Sequence, residues 1–317
     1  MSLQQTLRVF ELIDSAHVSG QDIVELFVDY SGVKASTVRA TGPKGSTDFV
    51  RIEIVGSAGK TLGGTAPTLG IIGRLGGIGA RPVRIGVVSD ADGAIAAISS
   101  ALKLAEMRSK GDILAGDVVI TTHICPNAPT RPHDPVDFMD SPIDDITMNN
   151  NEVMLEADAI LSIDTTKGNR IINHKGYALS PTVKQGYILR VAEDLLRIME
   201  MTSGSHAVTF PITIPDITPY GNGVHHLNSI LQPSTATSSP VVGVAICTQS
   251  VVPGCGTGAS HETDIALAVK FAVEVAKEFG RGTCQFYDES EYARLIALYG
   301  PLIHLQQRQP EHGEVVL

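Results

Sequence analysis

Tryptophan is absent from the 317 residues, and only 5% are aromatic. Surfaces that stack sugars or bases rely on aromatic faces, so neither ligand class is expected. Lysine and arginine number 24 against 34 aspartates and glutamates, leaving a formal charge of −10, and no run of basic residues occurs. A phosphate backbone is gripped by clustered cations, so no nucleic-acid partner is expected. No apolar run approaches the length of a bilayer span, and the N-terminal MSLQQTLRVFELIDSAH lacks the basic start, apolar stretch and cleavage site of a signal peptide. No membrane association is expected either. The four cysteines, Cys125, Cys247, Cys255 and Cys284, contain no Cys-x-x-Cys pair. Reduced thiols in a cytoplasmic protein is the economical reading.

What is present suits a large core: 43% apolar and 18% charged residues. There is no internal repeat, and residues 1–317 read as one α/β domain. Segments 4–15 and 20–30 have apolar residues at helical spacing, and VRIEIVG (50–56) alternates like a strand. A regular grammar follows. TLGIIG (68–73), VRIGVVS (83–89), DVVITTH (117–123), AILSID (159–164), AVTFPI (207–212) and VVGVAIC (241–247) are expected strands. GAIAAISSALKLAEMR (93–108), a short segment at 152–157, 183–202 and HETDIALAVKFAVEVAKEF (261–279) are expected helices. Several of the strands are continuous apolar runs. Strands of that kind are buried on both faces, as in a mostly parallel sheet covered by helices.

Ligands of such sheets bind beyond the carboxyl ends of the strands. Those ends carry Asp90 and Asp92, His123, Asp164, and the glycine turn Gly254-Cys255-Gly256-Thr257-Gly258 that leads to His261 and Glu262. Each has a structural explanation alone. Asp92 can cap a helix, His123 can be a satisfied core histidine, and Asp164 can order its own loop. Together, Asp90, His123, Asp164 and His261 are a ligand set that suits a divalent metal such as zinc, manganese or iron. The long acidic, proline-rich segment 124–151 is read as an inserted loop, from which His133 or Asp134 can supply a ligand or a catalytic base. An idle or subunit-contacting surface loop is the equal alternative. Arg74 and Lys184 are candidates for a substrate carboxylate. Gly256 and Gly258 can present backbone N–H groups to an anion. Cys255 is a further candidate, as a nucleophile, although no local cation is evident to activate it. The adjacent pair His225-His226 ranks low, because neighbouring residues rarely face one metal.

The order of these segments resembles the catalytic domain of the co-catalytic zinc aminopeptidases, of the glutamyl and deblocking type. APTLGIIGRLGG, SDADGAIAAISSALKLAEM, GDVVITTH, ADAILSIDTT and VVGVAICTQ…SHETDIALAVKFAVEVAKEF carry the resemblance. It implies a three-layer α/β fold, with a mostly parallel central sheet, helices on both faces and a zinc-exopeptidase-like (phosphorylase/hydrolase-like) architecture. It places Asp90 in the bridging position, Asp164 as a terminal carboxylate and His261 as the ligand histidine. The family's His-x-Asp pair is missing, with Gly73-Arg74-Leu75 in its place, and Thr122-His123 replaces its Glu-Glu pair. The family's inserted domain is also missing. In length and order the chain resembles, too, an uncharacterised family known only as a domain of unknown function.

The resulting expectation is a metal-dependent hydrolase, zinc-dependent by that resemblance, with an amide or peptide-like small substrate. It would bind metal through Asp90, His123, Asp164 and His261, with His123, His133 and Asp134 as catalytic candidates. A homo-oligomer is expected by analogy of fold. The alternatives are an inactive relative that binds a small anionic metabolite and a cysteine-dependent enzyme using Cys255.

Overall fold

The structure, a computed structural model, describes residues 2–74, 76–252 and 254–306. Helices α1 (Leu3–Ile13) and α2 (Gly20–Glu25) lead into the hairpin β1 (Val33–Gly42) and β2 (Gly45–Ile54), followed by β3 (Leu69–Gly73) and α3 (Asp92–Ser109). Next come β4 (Val118–Ile124), the small hairpin β5 (Thr130–Arg131) and β6 (Phe138–Met139), α4 (Asp145–Glu152) and β7 (Ala159–Thr165). The chain continues through β8 (Gly176–Leu179), β9 (Val183–Lys184), β10 (Tyr187–Ile188), α5 (Glu193–Ser203), β11 (Val241–Cys247), α6 (Glu262–Gly280) and α7 (Glu289–Tyr299).

One sheet of nine strands organises these elements, in the order β1-β2-β4-β3-β7-β11-β9-β10, with β8 also paired to β11. Its centre, β4-β3-β7-β11, is parallel. Antiparallel pairs flank it on both sides. The central strands are buried along their whole lengths, except for Thr165 at the end of β7. Their side chains alternate between two cores, as a pleated strand requires. Leu69, Ile71, Ile120, Leu161, Ile163, Val242 and Val244 pack with α1, α3, α5 and α6. Ile72, Val119, Ile160, Val241 and Ala245 face the other way, under Met154, Phe210, Ile217, Ile230 and Leu231. The α/β architecture around a parallel centre is as expected, while the sheet as a whole is mixed, with antiparallel pairings outnumbering parallel ones. The second face is roofed by α4 and by largely irregular chain between 207 and 236.

The differences lie outside the parallel centre. VRIGVVS (83–89) is not a strand: Val83 is 66% and Ile85 94% exposed, and Asp90 sits in a 3-10 turn, Ser89–Ala91, in front of α3. Its β-branched residues have no strand to pair with, and propensity alone does not make a sheet. AVTFPI contributes only the bridge between Leu179 and Thr209. Over 183–202, β9 and β10 precede a helix that starts at Glu193. No helix among the described residues is long and apolar enough to cross a membrane.

Two glycines let α3 lie directly on the sheet. A Cβ on Gly93 would sit 2.4 Å from the Arg74 carbonyl oxygen and 2.5 Å from that of Ile163, and one on Gly73 would meet the Gly93 carbonyl at 2.5 Å. This contact sets how deeply Asp90 and Asp92 enter the carboxyl edge of the sheet. The opposing atoms are backbone and cannot rotate away, so Gly93→Ala is expected to destabilise the fold by about 1–3 kcal/mol or more. Urea unfolding measures this, and an unchanged midpoint would show that the contact is not tight.

Candidate functional site

A cleft of ≈ 970 Å³ opens over the carboxyl ends of β4, β3 and β7, with Arg74, Asp90, His123, Asp145, Lys167, Tyr220, His226, Ser229 and Cys255 among its lining. Arg74 follows the last residue of β3 and is 3% exposed. Its Nη1 donates to Glu152 Oε2 at 2.7 Å. Glu152, at the end of α4, is fully buried, and its Oε1 lies 2.7 Å from His123 Nδ1. The Gly76 amide donates to His123 Nε2 at 3.2 Å, which puts the ring hydrogen on Nδ1, facing Glu152. Burial pushes the Glu152 carboxyl upward, but Arg74 and His123 outweigh it and hold the group below its ordinary value. The Arg74 guanidinium is raised despite burial, because Glu152 and then Asp164 stabilise its charge. Ends of two strands and one helix are thus tied together by buried charge.

Asp90 and Asp164 behave in the opposite sense. Asp90 is 4% exposed; burial, and then the negative charge of Asp164, hold its carboxyl well above the ordinary range. Its position is fixed through the backbone: the Asp90 amide donates to the Cys255 carbonyl at 3.2 Å, and the Ser89 amide to that of Thr257 at 2.7 Å. Asp164, at the end of β7, is 1% exposed and accepts from Ser229 Oγ at 3.0 Å and from the Thr165 amide at 2.6 Å. Burial pushes it up to about 6, against the pull of Arg74. Two buried carboxyls within electrostatic reach of one another cannot both ionise cheaply, and one of them keeps a proton unless a cation replaces it.

The remaining predicted residues do not join this pair. His261 caps α6, is half exposed, and lies 3.9 Å from Asp264. Asp92 takes Lys167 as its ion partner and Ser260 Oγ at 2.5 Å. In the 124–151 segment, His133 and Asp134 are exposed, and His133 contacts the Val136 carbonyl at 3.0 Å and the Phe138 ring. That segment reaches the cleft instead through Arg131, Phe138, Met139, Asp140, Asp144 and Asp145. Lys184 is at the far sheet edge, 5.3 Å from the centres of the Tyr287 and Tyr292 rings. The glycine turn is not an open anion cradle: its Cys255 and Thr257 carbonyls clamp Ser89 and Asp90, and a Cβ on Gly256 would meet the Asp137 carbonyl oxygen at 2.9 Å. Gly258 is exposed outside the cleft. Burial and then the charge of Asp90 drive the Cys255 thiol far up, which removes it as a nucleophile at neutral pH. Leu75 lies outside the described residues.

The four-residue metal shell is therefore not assembled. Among the described residues no group of three or more His, Cys, Asp or Glu side chains is placed to hold a metal ion. Both nitrogens of His123 are engaged, and His261 turns to Asp264. A tetrahedral zinc site needs three or four such donors. Glu152 carried no signal in the sequence, since a lone glutamate in NNNEVM reads as a solvated helix end. Ser229, Tyr220 and Asp145 come from segments whose path over the sheet no local pattern dictates.

A family model described as "Protein of unknown function (DUF1177)" matches residues 38–309. The chain belongs to that family. It matches no curated protein. Among solved structures, this member of the DUF1177 family is similar to one titled "Bottromycin maturation enzyme BotP in complex with Mn", with a TM-score of 0.52, 13% identity, and coverage of 87% of this chain and 71% of that one. At that identity the likeness is one of fold.

Two outcomes follow from the burial of these charges. Glu152→Gln leaves Arg74 without its counter-ion and is expected to cost about 3–5 kcal/mol in unfolding free energy; a loss within experimental error would show that Asp164 neutralises Arg74 alone. For Asp164, a folded-state value raised above the unfolded one gives a contribution to stability that is complete at low pH and lost as pH rises through about 6. Asp164→Asn is then expected to be more stable than the parent at about pH 8, by up to roughly 3 kcal/mol, with the gap closing near pH 4. A gap that widens toward acid in thermal melts would contradict this.

Proposed function

We propose that the cleft is the active site of a hydrolase acting on amide or peptide-like small molecules, with Asp90 as the group that exchanges a proton with the substrate. The observation that carries this reading is the buried Asp90–Asp164 pair, held above the ordinary carboxyl range at the mouth of the parallel strands. A carboxylic acid kept neutral near pH 7 can donate to a leaving nitrogen or to a carbonyl oxygen. Asp164, reached from the cleft through Ser229, maintains the proton on Asp90 by its charge. Arg74 supplies a fixed positive charge where negative charge develops on a substrate oxygen.

The fold's likeness to a protein solved with Mn favours a second form of the same proposal. Hard dications of the Mn class take carboxylate oxygens and complete their shell with water. Asp90 and Asp164 could accept such an ion in place of the proton, where a four-ligand zinc shell has too few donors.

Short peptides, amino-acid amides and acylated amines, assayed with Mn²⁺ and with chelator, test both forms. Turnover in at least one condition is expected, and Asp90→Asn should lower kcat by about a hundredfold or more. Absence of turnover in every condition, or an Asp90→Asn variant as active as the parent, removes the proposal. In the Mn form, added Mn²⁺ should raise the melting temperature of the parent and not of Asp90→Asn.

A further inference from the structure

Most charged side chains that line the cleft are already satisfied. Lys44 and Arg131 both lie against Asp140, at 2.5 and 3.4 Å. Lys167 is paired with Asp92. Asp144 is spent as the cap of α4, accepting from the Thr147 amide at 2.8 Å. Besides Asp90, two groups are left over, and they have opposite signs.

The first is the free edge of Arg74. Glu152 occupies Nη1, while Nε is buried with no hydrogen-bond partner among the described residues, and Nη2 makes no hydrogen bond there either. This guanidinium cannot swing away to find one. Glu152 holds it, His123 holds Glu152, and the Gly76 amide holds His123. A buried, immobilised, half-satisfied guanidinium on a cleft floor is a preorganised fork for a planar oxygen pair. The second is Asp145, in the first turn of α4. It lines the cleft and has no hydrogen bond or ion pair among the described residues. Burial holds its carboxyl above the ordinary value, and the charge of Arg74 is the next influence on it. The two are thus within electrostatic reach, yet the ion pair of Arg74 is with Glu152 and not with Asp145. Both line the same cleft, where a ligand that carries both charges would meet each of them. Phe138, Met139, Ile143 and Val251 give the same cleft an apolar wall.

We infer that the cleft recognises a zwitterion of the α-amino-acid type with an apolar side chain, its carboxylate on the free edge of Arg74 and its ammonium on Asp145. This names a ligand class for the site proposed above and rests on that cleft being the substrate site, but it requires no turnover. In a hydrolase, such a molecule is the released product.

Calorimetric binding of L-leucine, N-acetyl-L-leucine and L-leucinamide to the intact chain tests it. Leucine is expected to bind at least about tenfold more tightly than either blocked analogue. Asp145→Asn, at a half-exposed helix start where folding is not at stake, should bind leucine and N-acetyl-leucine alike while still preferring leucine to leucinamide. Arg74→Lys, which keeps the charge and loses the fork, should show the reverse loss. Equal binding of leucine and its blocked forms, an Asp145→Asn variant that still discriminates the acetyl group, or no binding of leucine at about 10 mM each overturns the inference. The two proposals fail separately. Turnover of fully blocked amides without leucine discrimination sinks this one alone, and leucine binding without turnover of any leucyl amide sinks the hydrolase alone.

Discussion

The carboxyl edge of the sheet depends on the buried pair of Arg74 and Glu152. Burying either charge alone is costly, and together they are tolerated because each has further partners: His123 for Glu152, Asp164 for Arg74. The pair joins the end of β3 to the end of α4 and, through His123, to β4. It also fixes a positive charge beside Asp164 and so limits how far that carboxyl rises. For Asp90 the leading influences are burial and the negative charge of Asp164, which hold it well above the ordinary range. One ion pair therefore separates two chemically similar aspartates into different states.

That division accounts for how the site departs from the metal shell implied by resemblance. The strand end at which the resemblance implied a His-x-Asp pair carries a guanidinium, and the one at which it implied a Glu-Glu pair carries a histidine engaged at both nitrogens. The positive charge is supplied by the chain itself. What remains for an exchangeable proton or a hard cation is the Asp90–Asp164 pair.

The parallel centre was legible because each of its strands is a short, unbroken apolar run, a pattern that burial on both faces produces. The same holds for α3 and α6, whose alanine-rich faces leave few other readings. Segment 83–89 has the same composition but no neighbour to pair with, and nothing local to VRIGVVS states that. Asp90, Asp164 and His123 stood out as polar side chains that end apolar runs, and the structure buries all three. Glu152 and Asp145 did not, since their roles follow from where α4 lands on the sheet. His133 and Asp134 looked chemical by type, yet their stretch of loop stays in solvent while Met139, Asp140 and Asp145 turn inward.

The most direct measurement is a carbon-13 NMR titration of the aspartate carboxyls in chelated protein, assigned by single Asn substitutions. The Asp90 carboxyl should keep its proton to higher pH than an ordinary aspartate, while that of Asp164 titrates near 6. If both instead ionise together near the ordinary aspartate value, about 4, the two groups do not share a charge and the account of the cleft is wrong.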